Sequence, residues 1–354
     1  MASRGKTLDP DVFSITDLRE KASEKLPIAY REAYNRYKIR PRVLRDVSNI
    51  DTSTTLFGTE LSFPFGFSPA ACHKLAHTDG EIGTSRAAAA TNICMALSAY
   101  ATCSLEDVIA QASGNPYIMQ FSILKDRAIT RQILERAEKA GYKAVMMTVD
   151  APMLGRRLNE YRNSFGIPKN MGYPNIAPGV DMSSLVDKGE GLAYEDNLDW
   201  AEAIGWIRSV TSLDIWLKGV YTAEDVALAI QHGVNGILVS NHGGRQLDGV
   251  PATLDALREC APVAKGEIKI AVDGGIRRGT DIFKALALGA DYCFAGRIPI
   301  WGLAYNGQKG VELAVKLLEE EFKLAMCLAG CKSIKDINKG HLSILQASGT
   351  LSKL

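Results

Sequence analysis

At 354 residues with 46% hydrophobic side chains, the chain has ample apolar surface for a large core, built as one barrel or as two smaller domains. Its 41 basic residues face 40 acidic ones, so it has no basic footprint for nucleic acid or an anionic membrane surface, and work on small molecules is favoured. No apolar run reaches membrane-spanning length and Met1-Ala2-Ser3-Arg4-Gly5-Lys6 leads into polar residues, which predicts a soluble, non-secreted protein.

In chain order, residues 1–62 read as an N-terminal helical segment. Ser14 and Thr16 precede Asp17 and Glu20 at capping distance, which predicts a helix that Pro27 ends. Tyr30, Tyr34 and Tyr37 follow at helical spacing and are expected to pack a short helix onto a larger body. From residue 63 one unit repeats: a short apolar run, a polar or glycine break, then an amphipathic stretch. The runs are Phe63 to Pro69, Ile93 to Leu97, Tyr117 to Phe121, Ala144 to Val149, Leu213 to Leu217, Gly236 to Val239, Ile268 to Val272 and Tyr292 to Ala295. The helical stretches include Gly80 to Ala90, Arg127 to Ala140, Thr222 to His232, Thr253 to Val263 and Thr280 to Leu288. Strands alternating with helices require parallel pairing, and eight such units close a (β/α)8 TIM barrel, so residues 1–354 are read as one α/β domain.

The working residues of such a barrel lie at the carboxyl ends of its strands. The sixth run ends in Ser240-Asn241-His242-Gly243-Gly244-Arg245, which places a titratable ring and a fixed cation in one turn. The same turn also reads as a solvated strand end with Arg245 paired to Asp248. The seventh run leads into Asp273-Gly274-Gly275-Ile276-Arg277-Arg278-Gly279-Thr280-Asp281 and the eighth into Gly296-Arg297, where glycine backbone and arginine suit a phosphate. Lys218 ends the fifth run and points into the mouth if strand alternation holds, there to meet an electron-rich cofactor ring or Asp150. Residues 150–197 are rich in Gly, Pro, Asn and Ser, either a mobile loop over the mouth or a disordered insertion. Seven cysteines, mostly within apolar runs, read as reduced core residues, and no metal site is expected; Cys327 and Cys331 lack a second ligand pair. Ser352-Lys353-Leu354 has the form of a peroxisomal address read by the import receptor.

These motifs, with Thr148-Val149-Asp150, Leu154-Gly155-Arg156-Arg157 and Leu217-Lys218-Gly219, resemble the FMN-dependent α-hydroxy acid oxidases and dehydrogenases, the family that includes glycolate oxidase. The resemblance runs from Phe63 to Gly330. It implies His242 as catalytic base, Arg245 and Arg157 on the substrate carboxylate, and Lys218 against the flavin. It further implies flavin contacts from Ala70, Ala71, Ser98, Gln120, Thr148 and Ser240, Asp273 on the ribityl chain, and Gly275, Arg277, Gly296 and Arg297 around the phosphate. Tyr100 and Ser122 fall to the substrate side. The resemblance also implies a homotetramer. A 2-hydroxy acid would be oxidised with O2 reduced to H2O2; the alternatives are another substrate or acceptor, or a weakly catalytic flavin protein.

Two departures stand out. The tyrosine-bearing segment between Leu26-Pro27 and Arg40-Pro41-Arg42 is shorter than in the family, and Ser122 follows Gln120-Phe121 where the family places a tyrosine. Both aromatic hydroxyls of the usual site are therefore expected to be missing, leaving a roomier pocket that favours larger apolar acids.

Overall fold

Eight parallel strands, each followed by a helix, close on themselves in the computed structural model, which describes residues 14–22, 31–156, 162–163, 165–168, 171–177 and 193–354. The strands are β1 Phe65–Phe67, β2 Cys94–Ser98, β3 Tyr117–Phe121, β4 Ala144–Thr148, β5 Asp214–Val220, β6 Gly236–Val239, β7 Lys269–Val272 and β8 Tyr292–Ala295. Neighbours pair in chain order, and closure comes from β8 against β1, with Cys293 opposite Phe65 and Ala295 opposite Phe67. The following helices are α1 Gly80–Ala90, α2 Leu105–Ile109, α3 Arg127–Ala140, α4 Trp200–Val210, α5 Ala223–Gln231, α6 Thr253–Ala264, α7 Gly279–Leu288 and α8 Arg297–Ala329. The TIM barrel expected from eight apolar runs is the fold.

Local chemistry sets the element ends. Ser104, Asp126, Asp199 and Thr222 cap helices by accepting from backbone N–H groups of the first turn, while Gly141, Gly289 and Gly330 end helices in the left-handed conformation. Helix α8 breaks at Asn306-Gly307, whose backbone is not helical. Strand β5 runs past the predicted Leu217 because a register shift between Lys218 and Val220 absorbs Gly219 at φ 105° and lets Val220 pair with Val239.

Strand alternation sorts the two faces. One apolar cluster, including Cys94, Ala96, Ile118, Met146, Trp216, Leu238, Ala271 and Phe294, fills the barrel interior. A hairpin of Thr54–Leu56 and Thr59–Leu61 packs into that same cluster, and Phe57 at its turn meets the Trp216 ring edge-on at 5.7 Å. The larger cluster joins strands to the surrounding helices.

Gly236 has no side chain because the Trp216 indole occupies the space a Cβ would need. Overpacking a filled core costs typically about 1–3 kcal/mol. Gly236→Ala is therefore expected to lower the thermal midpoint by several degrees, and an unchanged midpoint in a calorimetric scan would show that the indole moves aside freely.

The N-terminal helix Ile15–Ala22 packs on α8, and the short helix Arg31–Arg36 leads into strand Tyr37–Ile39. That strand pairs antiparallel with Leu342–Leu345, which in turn pairs with Leu351–Lys353. Tyr30 lies outside the described residues, as does much of the 150–197 loop. No helix among the described residues is long and apolar enough to cross a membrane.

Candidate active site

Two residues beyond the interior layer, the inward positions change from apolar to polar. Ala96 is followed inward by Ser98, Ile118 by Gln120, Met146 by Thr148, Trp216 by Lys218 and Ala271 by Asp273. With Ser68 and Gly296 they line a cavity of about 480 Å³ at the carboxyl end of the barrel, together with Ala70, Ala71, Tyr100, Ser122, His242, Arg245, Gly275, Arg277 and Arg297. Ser240, expected among the flavin contacts, is fully buried and is not part of this lining; its Oγ accepts the His242 backbone N–H at 3.2 Å and so shapes the turn. Arg157 lies outside the described residues.

The His242 ring is held from one side. Its Nδ1 lies 3.1 Å from Asp150 Oδ1, which leaves Nε2 as the nitrogen free of that carboxylate on a residue that lines the cavity. Hence Asp150 pairs with His242 and not with Lys218. The pairing needs close backbone approach: a Cβ on Gly219 would collide with Asp150, and His242 itself sits at φ 55°. A non-glycine residue in that region carries a conformational cost, which histidine tolerates better than most.

On the strands that flank β6 lie buried charges short of partners. Lys218 is 4% exposed and its Nζ has no hydrogen-bond partner among the described residues; the same holds for Asp273 Oδ1, while Asp273 Oδ2 accepts from Ser68 Oγ at 2.8 Å. Burying such groups unpaired costs roughly 1–3 kcal/mol or more each, so their placement around one cavity points to a polar ligand that completes them. Gly274 and Gly275 follow Asp273 with φ of 87° and 82°, turning the chain without side chains in the way. The Arg277 guanidinium lies 4.6 Å from the centre of the Trp301 ring, and Arg297 donates to the Gly243 carbonyl at 2.8 Å, so the two fixed cations flank that turn from different elements. Gln120 Nε2 donates to Thr148 Oγ1 at 2.9 Å, which leaves its Oε1 toward the Ala99 backbone N–H at 3.4 Å.

A family model described as FMN-dependent dehydrogenase matches residues 7–344. The chain belongs to this family, that of the FMN-dependent α-hydroxy acid oxidases. Among curated relatives it is 52% identical to Oxidase FUB9 of Fusarium oxysporum f. sp. lycopersici, over 98% of this chain and 95% of that one. It is 44% identical to glycolate oxidase of Spinacia oleracea over 88% of this chain and 86% of that one. The crystal structure of mandelate oxidase superposes with a TM-score of 0.84 at 34% identity, covering 92% of this chain and 97% of that one.

FMN is the cofactor, and the residues present fit it. Lys218 and the free oxygen of Asp273 supply a cation and an acceptor on the cavity wall, and the glycine turn with Arg277 and Arg297 suits a terminal phosphate.

Among the described residues, four tyrosines line the cavity. Tyr34 reaches the cofactor cradle, where its hydroxyl donates to the Gly274 carbonyl at 3.1 Å; burial, then the neighbouring Asp281, pushes that hydroxyl well above the usual tyrosine range. On the substrate side Tyr100 is joined by Tyr173 and Tyr194, both edge-on to it with centroids 5.2 and 6.4 Å away. Burial holds the Tyr100 hydroxyl protonated far past neutral pH. Position 122 supplies no aromatic hydroxyl, and three other tyrosines line that side of the cavity. Sequence reading had no signal for Tyr173 and Tyr194, which stand in an aperiodic loop; Asp150 was visible as a strand end, but its partner lies 92 residues away.

Proposed function

We propose that this protein oxidises an L-2-hydroxy acid to the 2-oxo acid and passes the electrons to O2, giving H2O2. The observation that carries the reading is the Asp150–His242 pair, whose ring lines the same cavity as the buried Lys218. FMN, when bound, supplies the two-electron acceptor. Arg245 on the cavity wall and Arg157 grip the substrate carboxylate, Nε2 of His242 takes the proton that leaves the substrate, and Asp150 stabilises the imidazolium so formed. Lys218 would help hold FMN and would supply a positive charge to offset the electrons it accepts. A peroxide assay over a panel of 2-hydroxy acids tests the reading: turnover with an artificial electron acceptor but no peroxide would make the protein a dehydrogenase, and no flavin reduction by any acid would leave it a flavin-binding protein.

The substrate is a larger apolar acid. Ser122 is too short to reach the substrate hydroxyl as a tyrosine at that position would. A neutral hydrogen bond is worth only about 0.5–1.5 kcal/mol net, whereas each buried methylene contributes roughly 0.8 kcal/mol, so added side-chain size offsets the loss. Ser122→Tyr is accordingly expected to raise kcat/KM for glycolate several-fold. Glycolate as the best substrate of the unmodified protein would contradict this.

Two further properties belong to the same proposal. The protein is a homotetramer, which light scattering tests. It is imported into peroxisomes through Ser352-Lys353-Leu354. Because Leu351–Lys353 pairs with Leu342–Leu345, the receptor engages the tail only after that edge strand peels away. Deleting Leu354 from a fluorescent fusion should leave it cytosolic.

A further inference from the structure

A second cavity of about 270 Å³ lies between the ends of β4 and β5 and the start of α4. It abuts the main cavity, and the wall between them consists of Ser122, Thr148, Ala151 and Tyr194, which line both. The far side is apolar, with Met147, Leu198, Ala203, Ile204, Leu217 and Val220. Carboxylates at its rim already have partners: Asp196 with Lys125, Glu195 with Arg127, Asp199 with the Glu202 backbone N–H and Asp225 with Thr222. These carboxylates are thus engaged by their own neighbours at the rim, and the space beyond them is walled by apolar side chains.

Tyr194 is carried to this wall by a strap. Tyr194 bridges antiparallel to Leu124, Lys125 N–H donates to the Ala193 carbonyl and Glu195 N–H to the Ile123 carbonyl, both at 2.9 Å. The strap backbone is pinned beside the end of β3, while the small Ser122 leaves the aromatic ring as the main bulk between the two spaces.

We propose that the second cavity receives the side chain of the substrate. Ser122 is the opening, Tyr194 is the residue that borders it, and the substrates are 2-hydroxy acids whose apolar side chain extends several carbons beyond Cβ. This rests on the reading of the main cavity as the site of hydroxy acid oxidation. The carboxylate and the reacting carbon stay beside Arg245 and His242, and the chain passes over Ser122 into the apolar space. Each methylene buried there is worth about fourfold in affinity.

The test uses the full-length FMN-loaded protein, with glycolate and 2-hydroxyoctanoate as substrates and acetate and octanoate as inert ligands titrated through the flavin absorbance. In the unmodified protein octanoate binds at least tenfold tighter than acetate, and 2-hydroxyoctanoate has the higher kcat/KM. Ala203→Leu fills the far side of the second cavity and lowers both long-to-short ratios at least about tenfold. Ser122→Tyr closes the opening from the other side and does the same, which keeps the test intact should the first variant not fold. Ratios that stay within twofold in both variants overturn the proposal even if glycolate still reduces the flavin. If no hydroxy acid reduces the flavin but the octanoate preference responds to Ala203→Leu, the cavity assignment stands and the reaction assigned to the site fails.

Discussion

His242→Ala is expected to yield a yellow protein that retains FMN but whose flavin is no longer reduced by hydroxy acid on the wild-type timescale. The imidazole is the group on the cavity wall that Asp150 orients, whereas the candidate phosphate cradle is built from β7 and β8. Loss of a general base costs on the order of a hundred- to ten-thousand-fold. The backbone complicates the choice of residue, because φ at this position is 55° and alanine resists that region. His242→Asn, which tolerates the left-handed conformation, should show the same loss with less effect on stability. Anaerobic stopped-flow reduction decides the matter, and near wild-type rates in both variants would remove His242 from the reaction. Asp150→Asn should fall between these extremes, since it keeps the base but weakens its orientation and the stabilisation of its charged form.

The second large effect is expected at Lys218, and it has opposite signs in two measurements. A buried ammonium without a hydrogen-bond partner among the described residues burdens the protein before FMN binds. Lys218→Met keeps most of the length of the side chain and removes the charge, so the flavin-free protein should gain thermal stability. With FMN present the sign reverses, because the variant has lost the cation beside the flavin. Removal of one preorganised electrostatic group typically slows a step by about a hundred- to a thousand-fold, and flavin reduction should slow by that order while the flavin midpoint potential falls. A variant whose apo form is less stable than wild type would show that Lys218 is paired in solution by a group other than the flavin.

The strand ends were open to sequence reading because the physics there is local. Runs such as Tyr117–Phe121 and Gly236–Val239 are short, apolar and bounded by turn residues, and period-two alternation then carries Gln120, Thr148, Lys218 and Asp273 into the mouth. What stayed hidden depends on distance in sequence or on irregular backbone. Nothing near Asp150 announces that its carboxylate meets a ring on another strand, and nothing in the loop preceding α4 has a period that would place Tyr194 against Leu124. The bulge at Gly219 hid the true length of β5 in the same way. Ser240 shows another such case, a residue inside a recognised motif whose Oγ accepts the His242 backbone N–H and so shapes the turn.

The pairing of β8 with β1 also sets a schedule for synthesis. The chain leaves the ribosome at about 5–20 residues per second, and Phe65 must wait for Cys293 before the barrel can close. For roughly ten seconds or more the earlier strands have an open edge, which is the state most prone to join a neighbouring chain. The cradle is later still, since Arg297 follows β8, and strand Tyr37–Ile39, directly after the helix that bears Tyr34, waits for Leu342–Leu345. Cofactor capture therefore waits until Arg297 and Leu342–Leu345 have been made, and a shortage of FMN would be felt by newly made chains before it touched any that had already loaded.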